Sequence, residues 1–240
     1  EGEGAAMIRD ILKPTLIIVA VAFICVMALS QVQKLTAPEI AKRALEKQQQ
    51  SLDLVLPGFD IGPARTAPVD GRDFTWWEGE KREDGEARKG YAFIVRGAGY
   101  GGDIESMVGV DEKGVILGLS IIQQAETPGL GDRCVEVAHR ETLFDHIRGG
   151  IPNGDLPNEP LTPWFQNQFK GVDAGARISI ARRGDWNPEM RESLLALNAV
   201  SALTGASITT EAVVRSVERG MALLVKARAA AAGKGAEAKQ

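Results

Sequence analysis

Residues 201–213 read Ser-Ala-Leu-Thr-Gly-Ala-Ser-Ile-Thr-Thr-Glu-Ala-Val, a run of hydroxyl-bearing and small residues directly ahead of an amphipathic helix. From Thr210 onward, apolar residues recur at three- and four-residue steps with charged residues between them, which predicts a helix with one buried face. Thr209 or Thr210 can cap its first turn, and Glu211 suits the positive end of the helix dipole. The apolar residues of this face are Val213, Val214, Val217, Met221 and Leu224.

The start of this helix suits either a simple cap or a bound phosphate. Unpaired backbone N–H groups point outward at a helix N-terminus, and Gly205 and Ala206 leave the approach to them open. Ser207 would place a hydroxyl within reach of such a phosphate. The residues alone favour a cap, because hydroxyl-rich runs ahead of helices usually serve that purpose.

The segment Thr204-Gly-Ala-Ser207-Ile-Thr-Thr resembles the flavin-attachment motif of the FMN-binding domain family shared by the RnfG and NqrC electron-transport subunits. The resemblance covers roughly residues 7–225, and RnfG is the closer match of the two. Further segments similar to that family follow its order along the chain: Gly99-Tyr-Gly-Gly-Asp-Ile104, Glu126-Thr-Pro-Gly-Leu-Gly-Asp132 and Trp164-Phe-Gln-Asn-Gln-Phe-Lys-Gly171.

This resemblance implies an α+β fold in which FMN is joined to Ser207 through a phosphoester. The motif ends in serine where the family usually has threonine, and either residue supplies the same nucleophilic oxygen. The resemblance also implies that the rest of the motif surrounds the phosphate, namely Thr204, Gly205, Ala206, Thr209 and Thr210. The loop that approaches the ribityl chain or the ring would consist of Glu126, Thr127, Pro128, Gly129 and Leu130.

The function implied is that of an electron-relaying flavoprotein subunit of an Rnf-type ion-translocating oxidoreductase. Such a chain would work with other membrane subunits, would need a flavin transferase for maturation, and would not be a complete enzyme alone. Three alternatives stay open: an NqrC-type subunit of a Na⁺-translocating quinone reductase, a membrane-tethered adaptor that has lost the flavin, and a stand-alone anchored flavin reductase.

An uncharged segment near the N-terminus predicts a transmembrane helix. Residues 14–33 carry no charged side chain, and twenty helical residues span about 30 Å, enough to cross the apolar core of a bilayer. A cleaved signal peptide is the competing interpretation, but Ala28-Leu29-Ser30 is a poor cleavage site. We therefore predict an uncleaved single-pass anchor.

The charges around this span leave its orientation open. Arg9 and Lys13 precede it, whereas four basic residues follow it within fourteen positions: Lys34, Lys42, Arg43 and Lys47. The positive-inside rule would keep the large domain in the cytoplasm, although long domains are translocated largely regardless of charge. The family resemblance implies instead a bacterial inner-membrane protein with its flavin domain on the periplasmic side.

The predicted organisation divides the chain into five parts. Residues 1–13 form an N-terminal tail, 14–33 the transmembrane helix and 34–56 a helical stalk. The FMN-binding domain follows at 57–226, and 227–240 form a disordered tail. A folded unit of this length can bury its own core.

Periodicity within the domain predicts an antiparallel sheet with packed helices. Strands are expected at 91–96, 104–110 and 115–122, with Asp111-Glu-Lys-Gly114 as a hairpin turn. Residues 57–73 and 150–163 look like turn-rich connections, and helices are expected at 140–148 and from Pro188 to about Ala202. A strand is also expected at 176–181, and we expect Trp76 and Trp77 to pack in the core or at its edge rather than to stack on the flavin.

Composition excludes several classes of protein. The chain has 28 basic and 32 acidic side chains and no basic stripe, which argues against nucleic-acid binding. Its two cysteines, Cys25 and Cys134, are not expected to form a disulfide, because one lies in the span and the other in the domain. Without a cysteine cluster, the sequence predicts no cysteine-bound iron–sulfur centre. His139 and His146 could share a helix face, but the sequence predicts no metal site around them.

Overall fold

The computed structural model describes residues 2–83, 86–136, 163–182, 184, 186 and 188–237. The predicted helix at 140–148, both histidines (His139 and His146) and residues 150–162 therefore lie outside the described residues. The helices are α1 (Gly2–Val55), α2 (Trp164–Asn167), α3 (Arg191–Ala196) and α4 (Ser207–Glu237). The strands are β1 (Asp60–Ile61), β2 (Arg65–Val69), β3 (Arg72–Glu83), β4 (Glu86–Ala98), β5 (Asp103–Asp111), β6 (Ile116–Gln123), β7 (Ser179–Ala181) and β8 (Ala199–Ser201).

Helix α1 contains the predicted membrane segment. Among the described residues, it is the one helix that is long and apolar enough to cross a bilayer. The large apolar side chains from Leu16 to Leu29 are all exposed, as a lipid-facing surface requires. The chain divides into two compact units, residues 1–48 and 49–240. The second unit therefore begins within α1, eight residues before the domain boundary predicted at 57.

The second unit is built on a six-stranded antiparallel sheet in the order β1-β3-β4-β5-β6, with β2 also paired to β3. The three predicted strands are confirmed as β4, β5 and β6, and β4 and β5 pair over nine residues. The predicted hairpin turn is confirmed at Gly114, whose φ of 90° lies in the left-handed region. The α+β fold class predicted from the sequence is therefore confirmed.

Helix α4 covers one face of this sheet. Its apolar residues Val213, Val217 and Leu224 are completely buried in the main core. Two glycines allow the helix to approach the strands closely. A Cβ on Gly97 would lie 2.4 Å from the Ala212 carbonyl oxygen, and one on Gly220 would lie 2.2 Å from Val95 Cγ1. The position of α4, and of its N-terminus, is therefore fixed by backbone contact with β4.

The end of α1 covers the opposite face of the sheet. Leu52, Val55 and Leu56 form a second apolar cluster with Trp77, Ala92 and Met107. Gly109 and Gly118 admit the helix here, since a Cβ on Gly109 would lie 2.1 Å from the Val55 carbonyl oxygen. Both faces of the central strands are therefore buried, which explains the near-continuous apolar run in β4.

The adjacent tryptophans Trp76 and Trp77 pack on opposite faces of the sheet, one in each apolar cluster. Trp76 is 1% exposed and belongs to the main core, whereas Trp77 is 6% exposed and packs with the end of α1. Neighbouring residues of a strand point to opposite faces of a sheet, so one pair fills both cores. The prediction that these rings pack in the core is confirmed.

The segment 57–73, predicted as a connection rich in turns, contains β1, β2 and the start of β3. Its Pro, Gly and Asp content indicated turns, but β1 and β2 are short strands that each pair only with β3. Pro68 is tolerated because an edge strand has one side without ladder hydrogen bonds. The connection prediction was therefore wrong for 60–61, 65–69 and 72–73.

The helix predicted from Pro188 to about Ala202 is confirmed over 188–196 and was wrong beyond that point. A 3₁₀ turn over Pro188–Met190 leads into α3, which ends at Ala196. Asn198 then adopts a left-handed φ of 46° before β8 begins. The Asn198 side chain accepts a hydrogen bond from the Asp173 amide at 2.8 Å and donates to the Asp173 and Arg177 carbonyls. These tertiary hydrogen bonds end the helix. The predicted strand at 176–181 is present at 179–181, paired in parallel with β8.

Helix α4 continues beyond the predicted end of the domain. It runs to Glu237, and Ala227 is completely buried against the main core. The boundary predicted at 226 therefore lies inside a helix, because an alanine-rich sequence is a strong helix former when one face can pack. Residues 238–240 lie outside the described residues.

The close contact at Gly109 leads to a stability prediction. In Gly109→Ala the added methyl group would overlap the Val55 carbonyl oxygen, and we expect the free energy of unfolding to fall by about 1–3 kcal/mol. Urea unfolding of the full chain in detergent, followed by tryptophan fluorescence, measures the loss. Gly62→Ala is the comparison, because its Cβ would lie 3.3 Å from the Glu78 carbonyl oxygen, a tight contact that a small shift relieves, and should cost less. An equal loss in both variants would contradict the packing argument.

Candidate functional site

The hydroxyl motif forms a tight loop that leads into α4. Gly205 has a φ of +78°, and the helix begins at Ser207. The first α4 amide that reaches a carbonyl in the described part of the chain is that of Thr210, 3.3 Å from the Ala206 oxygen. The amides of Ser207, Ile208 and Thr209 precede it and have no acceptor among the described residues, as expected of the first turn of a helix. These backbone N–H donors therefore cluster at the N-terminus of α4.

The hydroxyls of the motif differ sharply in their surroundings. Thr210 is completely buried, accepting from the Leu203 amide at 3.0 Å and donating to the Ala206 carbonyl. Thr209 is 1% exposed and donates to Glu126 Oε2. Ser207 and Thr204 are exposed. The buried threonines are thus committed to holding the loop, and the exposed hydroxyls face solvent.

The segment that begins at Glu126 lies against this motif. The Glu126 side chain is 6% exposed, and its carboxyl group accepts from the Gly101 amide at 3.0 Å and from the Thr209 hydroxyl. The Leu130 side chain lies next to Gly205, where an added Cβ would be 3.2 Å from Leu130 Cδ2. The structure therefore brings two of the predicted loop residues, Glu126 and Leu130, against the hydroxyl motif.

Thr127, Pro128 and Gly129 form an exposed turn between these two contacts. The Thr127 carbonyl accepts from the Leu130 amide at 3.2 Å and from the Asp132 amide at 3.4 Å. Gly129, with a φ of 77°, completes the turn. This geometry holds Leu130 towards Gly205.

Two glycines of this site, Gly99 and Gly131, were not predicted as site residues from the sequence. A Cβ on Gly131 would lie 2.3 Å from Glu126 Oε2 and 2.6 Å from Thr209 Oγ1, and one on Gly99 would lie 2.1 Å from Glu126 Oε1. Glycine at these positions makes room for the buried carboxyl group. The Gly99-Tyr-Gly-Gly segment was the available signal, but a sequence alone does not reveal which side chain needs that space.

Cys134 lies behind the loop in the 3₁₀ turn Gly131–Val135 and is completely buried. Burial raises the pKa of its thiol from 9.0 to about 12, and the negative charges of Glu126 and Asp132 contribute to the increase. A thiol with this pKa stays protonated at physiological pH and is a poor nucleophile. Cys134 is also part of the main apolar core.

The arrangement suits a phosphate-bearing cofactor. Exposed N–H donors at a helix N-terminus attract anions, and the absence of a side chain at Gly205 keeps the approach open. The exposed Ser207 hydroxyl stands at the same point, while Leu130 and Ile208 offer apolar surface, being 46% and 52% exposed. The donors fit a phosphate, and the apolar side chains fit the flat ring of a nucleotide.

A comparison with known protein families matches residues 99–222, just over half of the chain, to the FMN-binding domain. The chain belongs to the FMN-binding domain family. Residues 7–55 also match the RnfG N-terminal region. The predicted resemblance to RnfG is therefore confirmed, and membership of the FMN-binding domain family supports FMN as the cofactor.

The relatives of this FMN-binding chain belong to ion-translocating complexes. The G subunit of the ion-translocating oxidoreductase complex of Haemophilus influenzae is 34% identical over 101 residues, a match to 42% of this chain and 46% of the relative. The matched segment thus spans about half of that relative's length. The G subunit of the complex of the same name from Pseudomonas aeruginosa is 27% identical over 90% of both chains. The G subunit of a proton-translocating ferredoxin:NAD⁺ oxidoreductase complex from Clostridium ljungdahlii is 24% identical over 83% of both.

Solved structures of related domains are more distant. The C subunit of the Na⁺-translocating NADH-quinone reductase from Parabacteroides distasonis has a TM-score of 0.47 and 19% identity, covering 77% of this chain and 92% of that one. NqrC of Shewanella oneidensis has a TM-score of 0.39 and 18% identity, covering 65% of this chain and 61% of that one.

The buried carboxyl group of Glu126 leads to a second prediction. Glu126→Ala would leave the Gly101 amide and the Thr209 hydroxyl without an acceptor, and unsatisfied buried groups cost about 1–3 kcal/mol each. Glu126→Gln should be much milder, because its oxygen can accept from Gly101 while its amide donates to the threonine oxygen. Urea unfolding of the full chain compares the two variants. Equal losses would contradict the proposed hydrogen-bonded bridge.

Proposed function

We propose that this chain is the electron-relaying subunit of an Rnf-type ion-translocating oxidoreductase and carries FMN as a phosphoester on Ser207. The observation that supports this proposal most directly is an exposed serine hydroxyl at the start of α4, beside N–H donors and the Leu130 loop. The FMN-binding domain family supplies the identity of the cofactor. The relatives supply the complex, since they are named as subunits of ion-translocating oxidoreductases.

The hydrogen bonds of the motif favour Ser207 as the attachment point. Thr209 and Thr210 are buried, and their hydroxyls already bond to Glu126 and Ala206. In the described part of the chain the Ser207 hydroxyl forms no hydrogen bond. Thr204 is exposed but precedes Gly205, whereas Ser207 is the first residue of the helix and lies at its positive end. A phosphate on Ser207 would receive both the helix dipole and the available amides.

The attachment step is a substitution at phosphorus. The bond from Ser207 Oγ to phosphorus forms, the hydroxyl loses its proton, and phosphorus loses its bond to a leaving group. A phosphoric anhydride of FMN, such as a flavin dinucleotide, provides a nucleoside monophosphate as that leaving group. We propose that a separate flavin transferase carries out this step.

In the working protein the chain's own residues position the cofactor. When bound, FMN supplies the redox chemistry, taking up and releasing electrons. The amides at the start of α4 hold the phosphate, and the Glu126 bridge fixes the loop that carries Leu130. Electrons would pass between this flavin and redox centres of neighbouring membrane subunits. The match of residues 7–55 to the RnfG N-terminal region favours an RnfG-type complex over an NqrC-type one.

The domain organisation supports membrane attachment by a single helix. We propose that residues 14–33 cross the bacterial inner membrane, that the following part of α1 is the stalk, and that the flavin domain lies in the periplasm. The uncharged span and its exposed apolar side chains support the anchor. The folded unit would begin at residue 49, because Leu52, Val55 and Leu56 belong to its core.

The attachment site is tested by intact mass and visible spectroscopy after denaturation. Protein produced together with a flavin transferase should retain the mass and yellow colour of FMN, because a phosphoester survives unfolding. Ser207→Ala should lose both, and Thr204→Ala, which removes the other exposed hydroxyl, should keep them. Loss of the adduct in Thr204→Ala alone would move the attachment point. An unmodified, colourless wild-type protein would instead support the adaptor.

The orientation is tested by fusing alkaline phosphatase to the chain, since this enzyme needs disulfides that form outside the cytoplasm. We expect activity when it follows Gln240, because the domain would lie in the periplasm. A fusion after Lys13 lacks the span, so it measures the background and should be inactive in either orientation. An inactive Gln240 fusion that accumulates as full-length protein would place the domain in the cytoplasm.

A further inference from the structure

A groove separates strand β7 from one side of helix α4. Its volume is about 410 Å³, and one wall consists of the consecutive residues 177–180. The other wall is a single side of the helix, formed by Glu211, Val214, Arg215 and Glu218. Clefts of about 300–1,000 Å³ are large enough to bind a ligand. A strand and a helix therefore face each other across a cleft of ligand-binding size.

The backbone hydrogen bonds of β7 show which of its edges faces this groove. The Arg177 carbonyl accepts from the Asn198 side chain at 3.1 Å, and the Ser179 amide donates to the Asn198 carbonyl at 2.9 Å. Both groups therefore point towards β8, which follows Asn198 and pairs with β7 in parallel. The Ile178 amide lies between them and points the opposite way, to Glu218 Oε1 on α4 at 2.7 Å. The groove therefore lies along the edge of β7 that is turned away from β8.

Three backbone groups on this edge have no hydrogen-bond partner among the described residues. Each peptide unit is planar and trans, so its C=O and N–H point to opposite sides of the strand. Because the Ser179 amide is bonded to β8, the Ile178 carbonyl points towards the groove. Residues 179 and 181 bond to β8 in the parallel register, which leaves the N–H and C=O of Ile180 on the outer edge. The outer edge of β7 thus offers one donor and two acceptors.

We propose that this edge binds an extended, acidic segment of a partner protein, which adds to β7 as a further strand. Unpaired N–H and C=O groups along a strand edge are a template for another strand. Recognition domains of several kinds bind extended peptides by such strand addition, in which main-chain hydrogen bonds give the affinity. Binding here would not depend on FMN, and it goes beyond the proposed function.

Glu218 fixes one end of this edge. Its carboxylate accepts from the Ile178 amide, and so occupies the position at which a pairing strand would place a carbonyl oxygen. The same bond ties β7 to α4 and holds the two walls of the groove together. Ile178 and Val214 line the groove and are 4% and 2% exposed. A bound segment would therefore cover little apolar surface and would be held mainly by backbone hydrogen bonds and by charge.

The charges of the groove favour an acidic occupant. Both of its carboxylates are engaged within the chain, since Glu211 pairs with Arg215 and Glu218 accepts from the Ile178 amide. Arg177 lines the same groove, is exposed, and has no carboxylate partner among the described residues. A carboxylate on the bound segment would pair with the Arg177 guanidinium, whose fork of N–H donors suits it. A basic segment would instead meet two arginines.

Amide hydrogen exchange of the full chain in detergent, followed by NMR, tests the free edge. The Ile178 and Ser179 amides should be protected, because they are bonded to Glu218 and Asn198. The Ile180 amide should exchange about tenfold faster or more, since it has no acceptor, and should become protected when a segment binds. A slow Ile180 amide in the free protein would overturn the proposal, because the edge would already have a partner.

The chemistry of the occupant is tested by selecting a phage-displayed library of random linear peptides on the full chain in detergent. We expect the selected peptides to carry Asp or Glu among β-branched residues, which favour extended backbone. A fluorescein-labelled synthetic peptide of the selected sequence then gives dissociation constants by fluorescence anisotropy. A selection that enriches no peptide, or one that enriches basic peptides, would overturn the proposal.

Variants at Ile180 distinguish strand addition from other modes of binding. Ile180→Pro removes the outward N–H and leaves the bonds to β8, because residues 179 and 181 supply those. We expect the dissociation constant to rise about tenfold or more, since a donor is lost and the proline ring blocks the edge. Ile180→Val keeps the amide and the branched shape and should bind as the wild type does. Equal affinities of these two variants would contradict strand addition.

Arg177→Gln tests the ion pair at an exposed position, where a substitution has little effect on folding. It should weaken binding of the acidic peptide severalfold. Arg65→Gln is the matched control, because it removes the same charge from β2, where Arg65 pairs with Glu78. Replacing the acidic residue of the peptide by its amide should abolish the Arg177→Gln effect, since both changes remove one contact. Equal effects of Arg177→Gln and Arg65→Gln would indicate net charge and overturn the ion pair.

A second copy of the chain is a different occupant, which sedimentation of the full chain in detergent would detect. A dimer that Ile180→Pro dissociates would mean that the edge pairs with another copy, and would overturn the proposal. Protein without FMN should bind the peptide as tightly as FMN-loaded protein. A failure of flavin attachment therefore leaves this proposal standing, whereas peptide binding that requires FMN would overturn it.

Discussion

The site depends on one buried carboxyl group. Glu126 accepts from the Gly101 amide with one oxygen and from the Thr209 hydroxyl with the other, and so joins the turn between β4 and β5, the loop after β6 and the first turn of α4. A buried carboxyl group is costly unless it is hydrogen-bonded, so these three segments are stable together and not in other arrangements. This bridge requires glycine at positions 99 and 131, because a side chain at either position would occupy the space of the carboxyl oxygens.

The bridge also divides the hydroxyl motif into structural and chemical parts. Hydroxyls that face the interior hold the loop, whereas the Ser207 hydroxyl is exposed and forms no hydrogen bond in the described part of the chain. The same logic recurs behind the motif, where the Gln168 side-chain amide pairs with both backbone groups of Ser201 and fixes β8. In a flexible loop, every hydroxyl of the motif could reach solvent. Here the hydroxyls of Thr209 and Thr210 are hydrogen-bonded inside the protein, so fewer hydroxyls reach solvent.

The sequence predicts the elements whose signal is local. Strands β4, β5 and β6 alternate or run apolar, the hairpin at Gly114 has its turn glycine, and α4 has a strict helical period. The failures have tertiary causes: β1 and β2 exist because β3 offers an edge, and α3 ends where the Asn198 side chain finds Asp173 and Arg177. In the site, the pairing of the Glu126 loop with the hydroxyl motif was predictable only through family resemblance. The bridging role of Glu126 was not predictable, because its partners lie 25 and 83 residues away.

The end of α1 has a consequence for anyone who wishes to handle this domain apart from its anchor. Leu52, Val55 and Leu56 close the second face of the sheet, and each buried side chain of this kind contributes about 1.5–3 kcal/mol. Since whole domains are stable by only about 5–15 kcal/mol, a soluble fragment cut at residue 57 would expose Trp77 and Met107 and lose much of that margin. A fragment that starts near residue 49 would keep these three buried side chains and remove the apolar, exposed part of the helix.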